Sequence, residues 1–163
     1  MNKSKYEDYE DQITALLHYG SFDIKPLPDN EMEFSRAFTK PQIYVCYVGS
    51  DFGADENIGV VAQEETVNID LLFRVNKRRG ENGLLSVANY AALKLLGIKL
   101  IGAQSKIKLI KQGYIDSNSN QNNWQYVVSL SFTTHIVECI NEEPTASFDV
   151  IEFTGSSNAQ VTR

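Results

Sequence analysis

VNIDLLFRVNKRRGENGLLSVANYAALKLLG, Val67 to Gly97, decides the fold because its apolar residues change period part-way along. Val67, Ile69, Leu71, Phe73 and Val75 alternate with Asn68, Asp70, Leu72, Arg74 and Asn76, the period of a strand with one face inward and the other mostly wet. From Leu84 the spacing becomes helical. Leu84, Leu85, Val87, Ala88, Ala91, Ala92, Leu95 and Leu96 form a broad apolar stripe, the alanines permit close approach to a sheet, and Gly97 supplies the stop. The basic turn between them places Gly80 where the chain reverses and Asn82 where a helix cap belongs.

Upstream, IYVCYVG (Ile43 to Gly49) is a continuous apolar run with the length and β-branched or aromatic content of a strand buried on both faces. Two such strands in succession pair as antiparallel neighbours. The stretch between them, SDFGADENIG, reads as a long projecting loop with acids at Asp51, Asp55 and Glu56 and apolar Phe52 and Ile58. At the start of the chain SKYE (Ser4 to Glu7) is a capping box, after which Tyr6, Tyr9, Ile13, Leu16 and Leu17 share one helical face. Gly20 supplies the stop, and His18 is placed in the last turn, where a cation suits the helix dipole. Phe22 to Lys40 reads as irregular, with extended backbone at Pro26 and Pro28 and one short helical excursion in NEMEFSRAF.

Downstream, Ile107 and Leu109 lie between lysines, SNSNQNN is a polar tip, and Trp124, Tyr126, Val128, Leu130 and Phe132 line one face of a final strand, making a second hairpin. SFDVIEF is placed as a short edge strand and TGSSNAQVTR as a loose tail. The expected fold class is α+β: an antiparallel or mixed sheet of about four strands, covered on one side by two packed helices, in the order α-β-β-α-β-β. Residues 1–153 are expected to form one domain and residues 154–163 a flexible tail.

The 163 residues are 42% hydrophobic and 22% charged, which suits a single core. No apolar run is long enough to span a bilayer, so a soluble, cytoplasmic protein is expected. Cys46 and Cys139 sit in apolar runs without a CxxC or Cys/His cluster, so buried free thiols are expected rather than disulfides or zinc. The charge is unevenly placed. Arg74 to Lys111 holds nine basic residues and one acid, a net +8, and the rest must carry −14 to give −6 overall. So acidic a remainder opposes a phosphate backbone, whereas opposed blocks suit a protomer whose basic side meets the acidic side of an identical neighbour.

Chemical motifs are sparse. The turn KRRGEN lacks the GxxxxGK followed by Ser or Thr of a Walker loop, and the three glycines and parallel context of a dinucleotide fingerprint. It resembles the acyl-CoA-binding turn of GNAT acetyltransferases, with Lys77 and Gly80 in place, but has Asn82 where a second small residue belongs and Glu81 against the phosphates. His135 lies on the outward side of the last strand, beside Thr133 and Thr134, with Glu138 nearby and no assignable nucleophile, and Glu64 and Glu65, adjacent in a strand, point to opposite faces. No catalytic, cofactor-binding or metal-binding set is expected.

Taken together, PQIYVCYVGSDF, AQEETVNIDLLFRV, GENGLLSVANYAALKLLG and NNWQYVVSLSF, behind an amphipathic N-terminal helix, resemble in order and apolar texture the tail terminator proteins of Mu-like contractile phages and related caps of phage-derived injection systems. The likeness runs from Tyr6 to Val137. It implies a homohexameric ring, without catalysis, that caps the tail tube, stops its polymerisation and faces the neck or the last sheath ring. The implied partners are copies of itself and the tube and sheath proteins, with no membrane and no specific nucleic acid. The implied location is the bacterial cytoplasm during assembly and then the end of the tail. Contact with a neighbour or the tube is expected at Asp51, Phe52, Asp55, Glu56 and Ile58 and at Lys77, Arg78 and Arg79. The alternatives are another phage neck or tail-completion component, or an acyl-CoA-dependent N-acetyltransferase-like enzyme.

Overall fold

Ser4 opens the first helix through a reciprocal pair of bonds. Its hydroxyl accepts from the Glu7 N–H, and the Glu7 carboxylate accepts from the Ser4 N–H at 2.7 Å, so two orphan donors are satisfied together. In the computed structural model, which describes residues 3–18, 21–30, 37–55, 61–115 and 124–137, this helix α1 spans Lys5–Leu16. It is followed by β1 (Asp23–Pro26), β2 (Gln42–Asp55), β3 (Ala62–Val75), α2 (Leu84–Leu95), β4 (Lys108–Tyr114) and β5 (Trp124–Val137).

The fold is α+β, with one mixed sheet in the order β1-β2-β3-β5-β4. β1 runs parallel to β2, and every other neighbouring pair is antiparallel. The alternation that begins at Val67 sets the layers. Val67, Ile69, Leu71, Phe73 and Val75 are all buried on the face covered by both helices, where they join Tyr9, Ile13 and Leu17 of the first helix region and Leu84, Val87, Ala88, Ala91, Ala92 and Leu95 of the second. β5 adds Tyr126, Val128, Leu130 and Phe132 to the same cluster. Each large aliphatic side chain removed from water there contributes about 1.5–3 kcal/mol before chain entropy is subtracted.

The structure departs from the sequence expectations in several places. The sheet has five strands rather than about four, because Asp23–Pro26 pairs with Gln42–Val45 inside the region read as irregular. That strand is four residues long and half-buried throughout, so it carries no alternation to read. β2 does not end at Gly49. Ser50, Asp51 and Phe52 pair with Val67, Thr66 and Glu65, and Asp55 with Gln63, so the first part of the expected projecting loop is strand. Two register shifts, at Tyr47/Gly49 and Phe52/Asp55, break the period of two, and Gly49 takes a φ of 141° at the first of them. Only the beginning of IYVCYVG is buried on both faces: Ile43, Tyr44 and Val45 are covered, while Val48 is 53% exposed.

Smaller corrections follow from local geometry. α2 starts from Gly83 with no side-chain cap, so Asn82 does not cap it, and Leu85 and Leu96 are exposed rather than on the buried stripe. His18 lies beyond the Leu17 C-cap and is exposed, not in the last turn. Cys46 is only half-buried, and Trp124 sits partly open at the strand end. Gly20, the stretch 31–36, residues 56–60, the tip 116–123, and residues 138–163 with Cys139, SFDVIEF and the tail lie outside the described residues.

A polar clamp fixes α1 on the sheet. Glu65 is fully buried on β3, where it accepts from the Lys5 ammonium and, at 2.7 Å, from the Tyr6 hydroxyl. The Tyr6 ring stacks on Tyr47 with centroids 4.2 Å apart, and the Tyr47 N–H donates to Glu10 at 2.7 Å. Burial alone would push the Glu65 carboxyl up; Lys5, Ser50 and Tyr6 outweigh it and hold the group below the ordinary carboxylate range. Burial, and then the bond to Glu65, push the Tyr6 phenol well above its usual value. Glu64, next in line, is exposed on the other face, as alternation requires.

Candidate assembly interface

The basic turn leaves β3 at Val75 and re-enters the fold at Leu84, and its own carbonyls fill the place a phosphate would need. Leu84 N–H donates to Lys77 O at 2.9 Å, Leu85 N–H to Arg78 O at 3.3 Å and Gly83 N–H to Gly80 O at 3.0 Å. The donors that usually make a helix start an anion site are therefore engaged inside the turn. Gly80 has a φ of 97°, and a Cβ on Gly83 would lie 2.4 Å from the Arg79 carbonyl carbon, so both glycines serve the turn itself.

The turn's cations are divided in role. Arg74 is buried, donates to Gln42 at 3.1 Å and lies 4.6 Å from the Phe38 ring centre, so it belongs to the sheet. Arg78 reaches instead across the sheet end. Its Nε donates to the Tyr114 hydroxyl at 2.9 Å, and its guanidinium lies 5.7 Å from the Tyr114 ring and 5.8 Å from the Trp124 ring. Tyr114 and Trp124 are in turn 5.8 Å apart and both partly exposed. An open Arg–Tyr–Trp platform is the composition that concentrates binding energy at protein interfaces. Lys77 and Arg79 are exposed beside it.

The platform continues along β4, whose residues are exposed except for the half-buried Gly113. Among the described residues β4 has one neighbour, β5, so its outer edge carries no strand. Leu109, Ile110 and Tyr114 are exposed there, with Ile110 58% open, between Lys108 and Lys111. On the helix-free face a shallow hollow of about 270 Å³ lies between Val48 and Ile110, floored by Asn68, Asp70 and Ser129. The Ser129 hydroxyl is buried there and has no hydrogen-bond partner among the described residues.

Sequence reasoning placed the contact residues in two groups, and the structure separates them. Lys77, Arg78 and Arg79 gather at the end of the sheet where β3 finishes, whereas Asp51 and Phe52 pair with Thr66 and Glu65. Thr66 and Val75 are nine residue steps apart along the strand, about 30 Å at a strand's rise per residue. Phe52 is 53% exposed, and Asp51 accepts from Asn68 at 3.1 Å. Asp55 is described as the backbone end of β2, and Glu56 and Ile58 lie outside the described residues. The acidic first turn of α1, Glu7 and Asp8, shares the Glu65 end with them through Lys5 and Tyr6. Tyr114, Trp124 and the β4 edge were missed. Their signal was available in the aromatic residues on either side of the polar tip, opposite an arginine-rich turn.

The family model for Gp37 protein matches residues 16–154, from the last residue of α1 to beyond β5. The chain belongs to the Gp37 family. Curated proteins offer no match to this Gp37-family chain. Among solved structures, a chain of the virion of a native gene transfer agent (GTA) particle is similar at 9% identity, covering 76% of this chain and 84% of that one, with a TM-score of 0.42.

Proposed function

We propose that this Gp37-family chain is a structural component of a phage-like particle, a tail terminator that forms a ring and caps the tail tube of a contractile phage or phage-derived injection system. The observation that carries the reading is the polarity of the protomer. One end presents the Arg78–Tyr114–Trp124 platform, Lys77, Arg79 and a β4 edge with no strand beside it among the described residues, and the other presents Asp51, exposed Phe52 and the acidic start of α1. Two different, complementary patches on one subunit make a head-to-tail contact, and such a contact closes into a ring when its rotation divides a full turn. The element order that underlies the resemblance to tail terminators is kept in the fold, with β1 added.

The partners under this reading are copies of the chain, the tube and the sheath, and no reaction or cofactor enters. The transferase alternative loses its strongest feature, because the N–H groups of Gly83, Leu84 and Leu85 are already bonded to carbonyls of the turn. Native mass spectrometry tests the ring directly. A closed particle should appear at a fixed multiple of the 18.3 kDa protomer, and adding it to polymerising tube subunits should stop their growth. A particle that stays monomeric or dimeric at every concentration and leaves tube growth unchanged overturns the proposal.

A further inference from the structure

We infer that the helix-free face of the sheet packs against the same face of a second copy of this chain, about a two-fold axis that runs along β5. The pairing registers set two cross-strand rows on that face. Cys46, Asp70, Ser129 and Lys111 form one, from β2 through β3 and β5 to β4, and Asn68, Ser131 and Lys108 form the next. The face is therefore polarised across its width, with the acid on β3, hydroxyls on β5 and lysines on β4. Val48 on β2 and Ile110 on β4 flank these rows and are 53% and 58% exposed. The hollow of about 270 Å³ between them is smaller than the sites that take drug-sized molecules, and it suits inserted side chains.

Symmetry decides which stacking fits. A two-fold axis parallel to the strands exchanges the two sides of β5 and keeps position along the strands, so β4 of each copy lies over β3 of the other. Lys111, which is exposed, then meets Asp70 of the other copy, Lys108 meets Asn68, and Ile110 enters the hollow beside Val48. The alternative, with the axis across the strands, sets β4 over β4 and lysine against lysine, so the order of charges selects the first arrangement. Aligned sheets pack about 10 Å apart, a gap that a lysine spans and two serines do not, so the serines along the axis leave room for the crossing side chains. Ser129 gives an independent reason for an occupant. Its hydroxyl is buried and has no hydrogen-bond partner among the described residues, and an ammonium arriving over neighbouring Asp70 supplies the donor. The contact uses neither the Arg78 platform nor Phe52, so it stands whether or not the ends of the protomer close a ring.

Disulfide trapping in the full-length chain tests the contact. In a Cys46→Ser, Cys139→Ser background, Val48→Cys and Ile110→Cys are introduced together and the protein is oxidised. A covalent dimer and nothing larger, lost with reductant and absent when Val48→Cys or Ile110→Cys is present alone, supports the two-fold face. No crosslink, a crosslink within one chain, or a ladder of longer covalent oligomers overturns it. Charge exchange gives a second reading by sedimentation equilibrium. Lys111→Asp should weaken self-association about tenfold or more, most at low salt, because one change acts at two symmetric pairs. Asp70→Lys should do the same, and the two together should restore association. The thermal midpoint of Lys111→Asp, at an exposed position, should match the parent, which separates a lost contact from a lost fold. Unchanged association of Lys111→Asp, or a double variant no better than either single one, counts against the face contact. Native mass is read separately: a ring without the Val48–Ile110 crosslink sinks this inference and leaves the ring reading standing, whereas a crosslinked dimer without a ring supports it and counts against the ring.

Discussion

Glu65 shows how one buried charge sets a condition on the whole protein. Its carboxyl is held below the ordinary value of 4.5, so its contribution is complete above that value and is lost as the pH falls through the lower, folded one. The unfolding midpoint of the parent should therefore fall as the solution is acidified below about pH 4.5. Glu65→Gln should cost about 1–3 kcal/mol at neutral pH, because the Lys5 and Tyr6 donors lose a charged acceptor, and should flatten part of that acid limb in thermal melts read by circular dichroism. Gly83 makes a different demand, one of space. A methyl there meets the Arg79 backbone at 2.4–2.5 Å, which no rotamer relieves, so Gly83→Ala should destabilise by about 1–3 kcal/mol in chemical denaturation, while Asn82→Ala should be nearly silent because Asn82 caps nothing. The capping box at Ser4 and Glu7 was legible because the two partners lie three residues apart in the chain. The burial of Glu65 was not, because its partners come from α1, about sixty residues away.

At the level of elements, legibility followed regular period. β3, β5 and α2 are read directly from spacing, since each packs one uninterrupted face against the core. β1 is too short to have a period, and the far half of β2 loses its period at two bulges, so both were read as irregular chain. The contact platform was hidden for a related reason: Arg78, Tyr114 and Trp124 belong to three separate elements, and only the sheet end brings them together. The length of β2 decides how a shortened variant behaves. Replacing Ser50–Asp55 with a tight turn removes paired backbone along Gln63–Val67 and uncovers part of β3, so the thermal midpoint should drop clearly rather than hold. A replacement that melts like the parent would show that this half of the ladder contributes little.

For the whole molecule, the charge imbalance visible in the sequence becomes a spatial axis with Arg78 and Arg79 near one end and Asp51 near the other. Charges at the margin of an interface act over roughly 10 Å at moderate ionic strength and contribute modestly per pair. If the ring proposed above forms through this end, Arg78→Glu together with Arg79→Glu should weaken self-association most at low salt, and the Arg78 change should leave an additional, salt-independent deficit because it also strips a guanidinium from two aromatic rings. Sedimentation across a salt series separates the two effects; identical assembly of parent and variant at every salt concentration would remove this end from the interface.

The sheet order also carries a consequence in time. β5 lies between β3 and β4, although it is the last of the described strands to be made. As the chain leaves the ribosome, the β2–β3 hairpin can close early, but the other edge of β3 stays bare until residues 124–137 emerge and insert. Slower synthesis through the polar tip before Trp124 would prolong that interval, so slowing translation there should lower the yield of folded protein.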